Sequence, residues 1–471
     1  MKKVVVLMCV FMCYMHCKGQ NVTPNEVKKK IETYFNTLGK KGFSGSVLVA
    51  YKGKKLISEG YGLADREKGI KNTKQTVFDI GSITKQFTAA GILKLEMQGK
   101  LSVDDKIATY FKNVPKDKEL ITIHHLLTHS SGLSSAIGDD YEHITKADFV
   151  HTTFQEKLAF NVGTSYKYSN VGYTLLAMII EKVSGETYEA YLYKNLWKPA
   201  NMFQTGYERP NYNQKEVAVG YGKTKIFGKP NEKWDANGPS WHLKGNGGVL
   251  STVEDMYKWH KALAGTKILS AKAKQKYYTK HIEEGEDAGS YYGYGWAIFP
   301  TPRNTELIAH NGSNGIFFAD FWRYLSEDIV IFSVNNAISG DYDRINMEIA
   351  GIILRKDYKP NTDLGKASDA NFDEVELEQL VKTFTRTIQK KDKTAWTKFI
   401  QTHTMDHFVE MISMEKHLEM FGKIHEKVKN KKLTEVRIEG DELILILEDK
   451  KIILNLEVQN EVLKVAGIFI E

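Results

Sequence analysis

Ser82 and Lys85 stand three residues apart in the run Phe78 to Gly99, FDIGSITKQFTAAGILKLEMQG, and they are the residue types of an acyl-transfer centre. A serine hydroxyl is a poor nucleophile until a neighbouring base takes its proton, and a lysine serves as that base only when its pKa is lowered. Residues three apart share a helix face, so a helix starting after Gly81 brings the amine to the hydroxyl at its N-terminus. Burial and the positive end of the helix dipole both disfavour the ammonium form. The apolar positions Ile83, Phe87, Ala90, Ile92, Leu93, Leu95 and Met97 leave a narrow polar strip, which predicts a helix buried on most sides with Gly99 as its stop. Spacing alone does not single the pair out. Ser413-Met-Glu-Lys416 repeats it on what reads as an exposed charged helix, where the serine is a cap and the lysine is solvated.

Other polar groups are candidates to serve that pair. Tyr168 and Asn170 lie two apart in GTSYKYSNVG, ahead of a long apolar helix from Tyr173 to Val183. Side by side in a cleft, the phenol would relay protons and the amide would hold a substrate carbonyl or the lysine. Tyr34-Phe-Asn36 and Tyr193-Lys-Asn195 match the same pattern, so it is the glycine-bounded loop that distinguishes Tyr168. His310, Asn311 and Gly312 fall in LIAHNGSNGIFF, where a strand is expected to turn and Gly312 and Gly315 let the backbone pass close to a ligand. Gly245-Asn-Gly-Gly248 lacks the Lys-Ser/Thr of a P-loop, and close backbone approach beside a cleft is the better reason for its glycines. His125 and His129 have the spacing of half a zinc site on an expected helix, but no Glu follows the first histidine. Helix packing before a Ser-Ser-Gly turn is the better reading, and no metal or cofactor is expected.

The elements that must position these groups follow from periodicity. Val22 to Leu38 reads as an amphipathic helix capped by Thr23 or Asn25, with Val27, Ile31, Tyr34, Phe35 and Leu38 on one face. Ser44 to Tyr51 and Lys54 to Tyr61 read as a hairpin turning at Lys52-Gly53. Val253 to Leu263 is a further helix, capped by Ser251 or Thr252. Tyr292 to Phe299, Phe321 to Tyr324 and Asp328 to Asn335 read as strands, the last almost wholly apolar and so buried in its sheet. A helix, a hairpin and then the nucleophile helix predict an α/β layering of mixed order rather than regular βαβ repeats.

Residues 1–19 read as an export signal: Lys2 and Lys3 form the basic head, Val4 to Met15 the apolar stretch, and Cys17-Lys18-Gly19 the polar exit. The apolar run is too short to span a bilayer. Cleavage near Gly19 gives a soluble periplasmic or extracellular protein, and a membrane tether would require lipidation of Cys17, which Tyr14-Met15-His16 fit poorly. All three cysteines lie in this segment, so stability must come from a large core rather than from disulfides. A formal charge of +7 is small for the length, and no basic cluster interleaved with aromatics appears, so nucleic acid is not an expected partner.

After Arg355 the composition changes. Residues 22–356 are expected to form one domain, 357–371 a polar, turn-rich linker, and 372–471 a small α+β domain in which helices precede four strand-like runs. That piece carries no catalytic constellation, and reads as a substrate-side or partner-binding appendage or as a plain stability cap.

Ser82-Ile-Thr-Lys85, Tyr168-Ser-Asn170 and His310-Asn-Gly312, in that order, resemble the motifs of serine hydrolases of the class C β-lactamase type, which include DD-peptidases, D-aminopeptidases and esterases. FDIGSITK, LLTHSSGL, YSNVGYTLLAMIIEKVSG, GGVLSTVEDMYKW and HNGSNGIF extend the likeness over roughly Gly42 to Leu354. The resemblance implies a β-lactamase/transpeptidase-like fold, with an antiparallel sheet flanked by helices and a helical subdomain. It implies Ser82 as nucleophile, Lys85 and Tyr168 moving the proton, Asn170 positioning substrate, and the third motif lining the opposite wall on an edge strand. The N–H groups of Ser82 and Ser313 would form the oxyanion hole. His310 departs from the lysine usual in the β-lactamases themselves, and Asn311 from the usual threonine or glycine. These departures point to esters or D-amino-acid amides and peptides rather than efficient β-lactam turnover. A penicillin-binding or sensor-like protein that turns over slowly is the alternative.

Overall fold

The computed structural model describes residues 23–470 apart from 223–224, 236–237, 286–288, 338–343, 363–372, 406–407, 410–411, 440–441 and 460–461. The expected export signal and its cysteines lie outside the described residues, as does most of the expected linker. Among the described residues no helix is long and apolar enough to cross a membrane.

The chain opens with α1 (Pro24–Lys40), capped by Thr23 in a reciprocal box with Glu26, which decides between the two caps expected. Its apolar face is the expected one: Val27, Ile31, Tyr34, Phe35 and Leu38 are all buried. Next come β1 (Gly45–Tyr51) and β2 (Lys54–Tyr61), joined by Lys52 and Gly53, both with positive φ, the backbone a two-residue hairpin turn requires.

The nucleophile segment differs in detail from the expected continuous helix. Gly81–Ile83 forms a tight 3-10 turn, and α2 (Thr84–Met97) continues from it. Eleven of its residues are buried, but Met97 is 42% exposed at the end that Gly99 closes with φ +67°. Phe87 packs edge-on against Trp197 and tilted against Trp259, while Gly91 lets Ile180 and Leu192 close on the helix.

Two expectations are corrected. The helix holding His125 is short, α3 (Ile123–Leu127), and His129 lies beyond it with φ +58°. The two histidines therefore share no helix face: the helix ends at its C-cap Thr128, and His129 takes a left-handed backbone that no α-helix continues through. Tyr292 to Phe299 is not one strand either. Gly295 turns the chain with φ +75°, its Cα pressed so close to α2 that a Cβ would lie 2.8 Å from the Lys85 carbonyl oxygen.

Six further strands complete the main sheet: β3 (Ile282–Glu283), β4 (Tyr291–Tyr292), β5 (Ala297–Pro300), β6 (Glu306–Ser313), β7 (Phe318–Tyr324) and β8 (Ile329–Asn335). Their order is β2-β1-β8-β7-β6-β5-β4-β3, and every pairing is antiparallel. All seven residues of β8 are buried, because it lies between β1 and β7 with helices on both faces. On one face α1 and α6 (Ile345–Leu354) pack over Val47, Val49, Leu307, Ala309 and Ile331. The other face meets α2, α4 (Asn170–Ser184) and α5 (Val253–Ala264) in a larger core with Ile308, Phe321 and Phe332.

From Glu374 the chain builds a core of its own. Helices α7 (Glu374–Ile388), α8 (Lys393–His403) and α9 (Met414–Val428) pack on a four-stranded meander, β9 (Leu433–Glu439), β10 (Glu442–Leu447), β11 (Lys450–Gln459) and β12 (Val462–Ile470). Ser413 caps α9 and Lys416 is its third residue, so this second Ser-x-x-Lys pair is a helix cap.

Candidate active site

Lys85 is fully buried, and its Nζ has three polar neighbours: Ser82 Oγ at 3.0 Å, Asn170 Oδ1 at 2.8 Å and the Asn246 carbonyl oxygen at 2.8 Å. Burial pushes the Lys85 pKa well below the ordinary lysine value, against a smaller opposing pull from Asp140. A neutral amine has two hydrogens and one lone pair. Both oxygens of Asn170 and Asn246 can only accept, so they take the two hydrogens and the lone pair is left facing Ser82 Oγ. That is the geometry of a general base on a nucleophile. Ser82 itself is half-buried.

The Tyr168 ring centroid lies 4.6 Å from Lys85 Nζ, and its phenol neighbours Ser82. Burial raises the phenol pKa, so Tyr168 keeps its proton at neutral pH. Asn170 opens α4, whose N-cap is Ser169, and its amide oxygen turns to Lys85. Of the two roles read for this amide, the oxygen takes the lysine, and the NH2 remains for a substrate carbonyl.

Gly81 and Gly312 press the two walls together. Gly81 has φ +50°, and a Cβ there would lie 2.6 Å from Ser313 N. A Cβ on Gly312 would lie 2.1 Å from the Ile80 carbonyl oxygen and 2.6 Å from Ser82 N. The N–H groups of Ser82 and Ser313 are thereby held beside one another, as an oxyanion hole needs.

The third motif divides by strand alternation. His310 pairs in register with Phe321, while Asn311 pairs with Asp320 on the opposite face. The exposed Asn311 side chain therefore points away from the face that His310 occupies. His310 donates from Nδ1 to the Asn311 carbonyl at 2.6 Å, so Nε2 accepts from Tyr292 Oη at 2.9 Å. Burial and the nearby Lys85 push the His310 pKa down to about 3, and the ring is neutral. The strand is an edge only in part. β5 pairs with β6 from Glu306 to Ala309, and His310 to Ser313 continue past the end of that ladder.

Several contributors were not legible as such in the sequence. The Gly245–Gly248 loop brings its backbone close to the nucleophile helix, as its glycines suggest, and places the Asn246 carbonyl on Lys85. Thr88 Oγ1 donates to the Gly245 carbonyl at 2.6 Å, Val249 N donates to Thr84 Oγ1 at 3.1 Å, and Asn246 Nδ2 donates to Thr174 and to the His242 carbonyl. His129 accepts the Ser169 N–H on Nδ1 at 3.0 Å, and its ring lies tilted against Tyr168 and Tyr292, with centroids 4.4 and 4.6 Å away. Burial holds it neutral. Asp79, in FDIGS, accepts from Gly81 N at 2.7 Å and from Asn314 Nδ2 at 2.8 Å. Among the described residues no group of three or more His, Cys, Asp or Glu forms a metal-binding cluster.

A family model described as Beta-lactamase matches residues 31–351. Penicillin-binding protein 4* of Bacillus subtilis is 28% identical over 346 residues, which cover 69% of this chain and 76% of that protein. Protein flp of Staphylococcus aureus is 30% identical over 304 residues, 61% of this chain and 59% of its own length. Among solved structures, the octameric penicillin-binding protein homologue from Pyrococcus abyssi aligns with a TM-score of 0.63 at 25% identity, over 93% of this chain and 92% of that one. A class C beta lactamase aligns with a TM-score of 0.61 at 22% identity, over 71% of this chain and 99% of that one, a likeness of fold alone.

Proposed function

The chain belongs to the beta-lactamase family, and we propose that it is an exported serine hydrolase that cleaves esters or D-amino-acid amides through an acyl-enzyme on Ser82. The observation that carries this reading is the Lys85 amine, buried and 3.0 Å from Ser82 Oγ. Export is supported by the sequence of residues 1–19 alone.

In this mechanism Ser82 Oγ attacks the substrate carbonyl carbon while its proton passes to Lys85. The carbonyl oxygen becomes an oxyanion between the N–H groups of Ser82 and Ser313. Collapse breaks the bond to the leaving oxygen or nitrogen, which takes the Tyr168 phenolic proton, and Lys85 returns a proton to the phenol. Water then loses a proton to Lys85 and adds to the acyl carbon, and Ser82 departs reprotonated. His310 is neutral and its Nε2 is occupied by Tyr292, so this histidine offers no cation to a substrate carboxylate. That weighs against efficient β-lactam turnover and for neutral esters and amides.

Mass spectrometry after treatment with a fluorophosphonate tests the nucleophile, and a screen of p-nitrophenyl esters, D-alanyl amides and nitrocefin tests the class. The expected result is an adduct on Ser82, ready ester or amide turnover, and slow turnover of nitrocefin. A penicillin adduct that persists, without ester or amide turnover, would support a receptor instead.

A further inference from the structure

A cavity of about 380 Å3 adjoins the catalytic groups, and its lining includes Tyr168 and His310 as well as Met347 and Ala350 of α6. Between them the wall is Ala309, Leu307 and Trp322. Leu307 and Ala309 project from the face of β6 that α6 covers, whereas His310 projects from the opposite face. One cavity can touch both because the β5–β6 ladder stops at Ala297–Ala309. Gly295 turns the chain against α2, and past Ala309 the strand β6 is free of β5, on the stretch that carries His310.

The chemistry of the wall restricts what fits. Among the described residues it is mostly aliphatic and aromatic and contains no lysine or arginine, and the carboxyl groups of Glu284 and Asp320 disfavour an anion. Tyr168 is the group that protonates the departing atom in the proposed mechanism, so the part of the substrate beside this cavity is the leaving group rather than the acyl chain.

Building on the proposed hydrolase reading, we infer that the trough from Tyr168 to Ala350 binds the uncharged, apolar leaving group of the substrate, the alcohol of a medium-chain alkyl ester. Each methylene buried there is worth up to roughly fourfold in specificity.

The test compares kcat/KM along two series on the full chain: acetate esters of ethanol to octanol, and p-nitrophenyl esters of acetate to octanoate. The alcohol series is expected to rise at least about tenfold from ethyl to octyl, with a flatter acyl series. Met347→Trp, at a half-exposed position, and Ala350→Trp, on the buried roof, are expected to lower octyl acetate turnover about tenfold and leave ethyl acetate unchanged. Thermal melts identify a variant that has lost its fold, and Met347→Trp then decides. A flat alcohol series in an enzyme that turns over p-nitrophenyl acetate overturns the trough and leaves the hydrolase reading standing, as does an equal loss on both alcohols in a folded variant. No Ser82 adduct and no ester turnover overturns both.

Discussion

Asp79 Oδ2 accepts a hydrogen bond from Asn314 Nδ2 at 2.8 Å, joining the nucleophile turn to the opposite wall across 235 residues of sequence. The other oxygen, Oδ1, accepts the Gly81 N–H at 2.7 Å. One buried carboxyl therefore fixes both halves of the oxyanion hole, and burial pushes its pKa up to about 6. Asp79→Asn can satisfy only one of the two donors, because its NH2 faces the other. The expected outcome is a fall in kcat of about 10- to 100-fold with little change in KM, read from steady-state hydrolysis of p-nitrophenyl acetate. Acidification acts on stability in the opposite sense. A carboxyl whose native pKa is raised contributes stability at low pH and loses it as pH rises through about 6, so this group does not itself drive acid unfolding.

Ser82→Ala and Lys85→Ala are each expected to abolish ester hydrolysis, and the double variant to be no worse than either, since the two act as one unit. Their melts should differ. Ser82→Ala leaves stability unchanged, whereas Lys85→Ala strands the Asn170 and Asn246 oxygens and costs about 1–3 kcal/mol. Retention of most activity in Lys85→Ala would remove the lysine from the base role.

The pH profile of kcat/KM carries the sign of the lysine shift. The active form has Lys85 neutral, so activity is expected to rise with pH through an ionisation placed well below the ordinary lysine value of 10.5. Burial raises the Tyr168 phenol above its ordinary 10.0, so no alkaline fall is expected below that pH. An acid limb at the ordinary lysine value would contradict a buried neutral amine.

Gly312→Ala is expected to lower kcat more than about 100-fold and to lower the melting temperature, because a Cβ would lie 2.1 Å from the Ile80 carbonyl oxygen and the walls must part. Gly315→Ala is the control. It has open space around it and a φ of +81°, so it carries backbone strain of about 1–2 kcal/mol and little loss of rate. Thermal melts and kcat measured on both variants separate strain from displacement of the oxyanion hole.

What the sequence determined by itself was local. The three-residue spacing of Ser82 and Lys85, the apolar face of α1, the hairpin at Lys52-Gly53 and the buried strand ending at Asn335 each follow from a repeat within one element. The motif order was enough for the family and the antiparallel sheet. Tertiary structure decided which atoms meet. The Asn246 carbonyl on Lys85, Tyr292 on His310, His129 on the loop of Tyr168 and Asn314 on Asp79 join separate elements, and for the first and last of these the gap is 161 and 235 residues. The same limit explains the misreadings. Nothing near His129 shows that the helix stops one turn early, and nothing in YGYGWAIF shows that Gly295 must bend to clear α2. Periodicity reports which side of an element faces the core, whereas a catalytic site depends on which loops the packed core brings together.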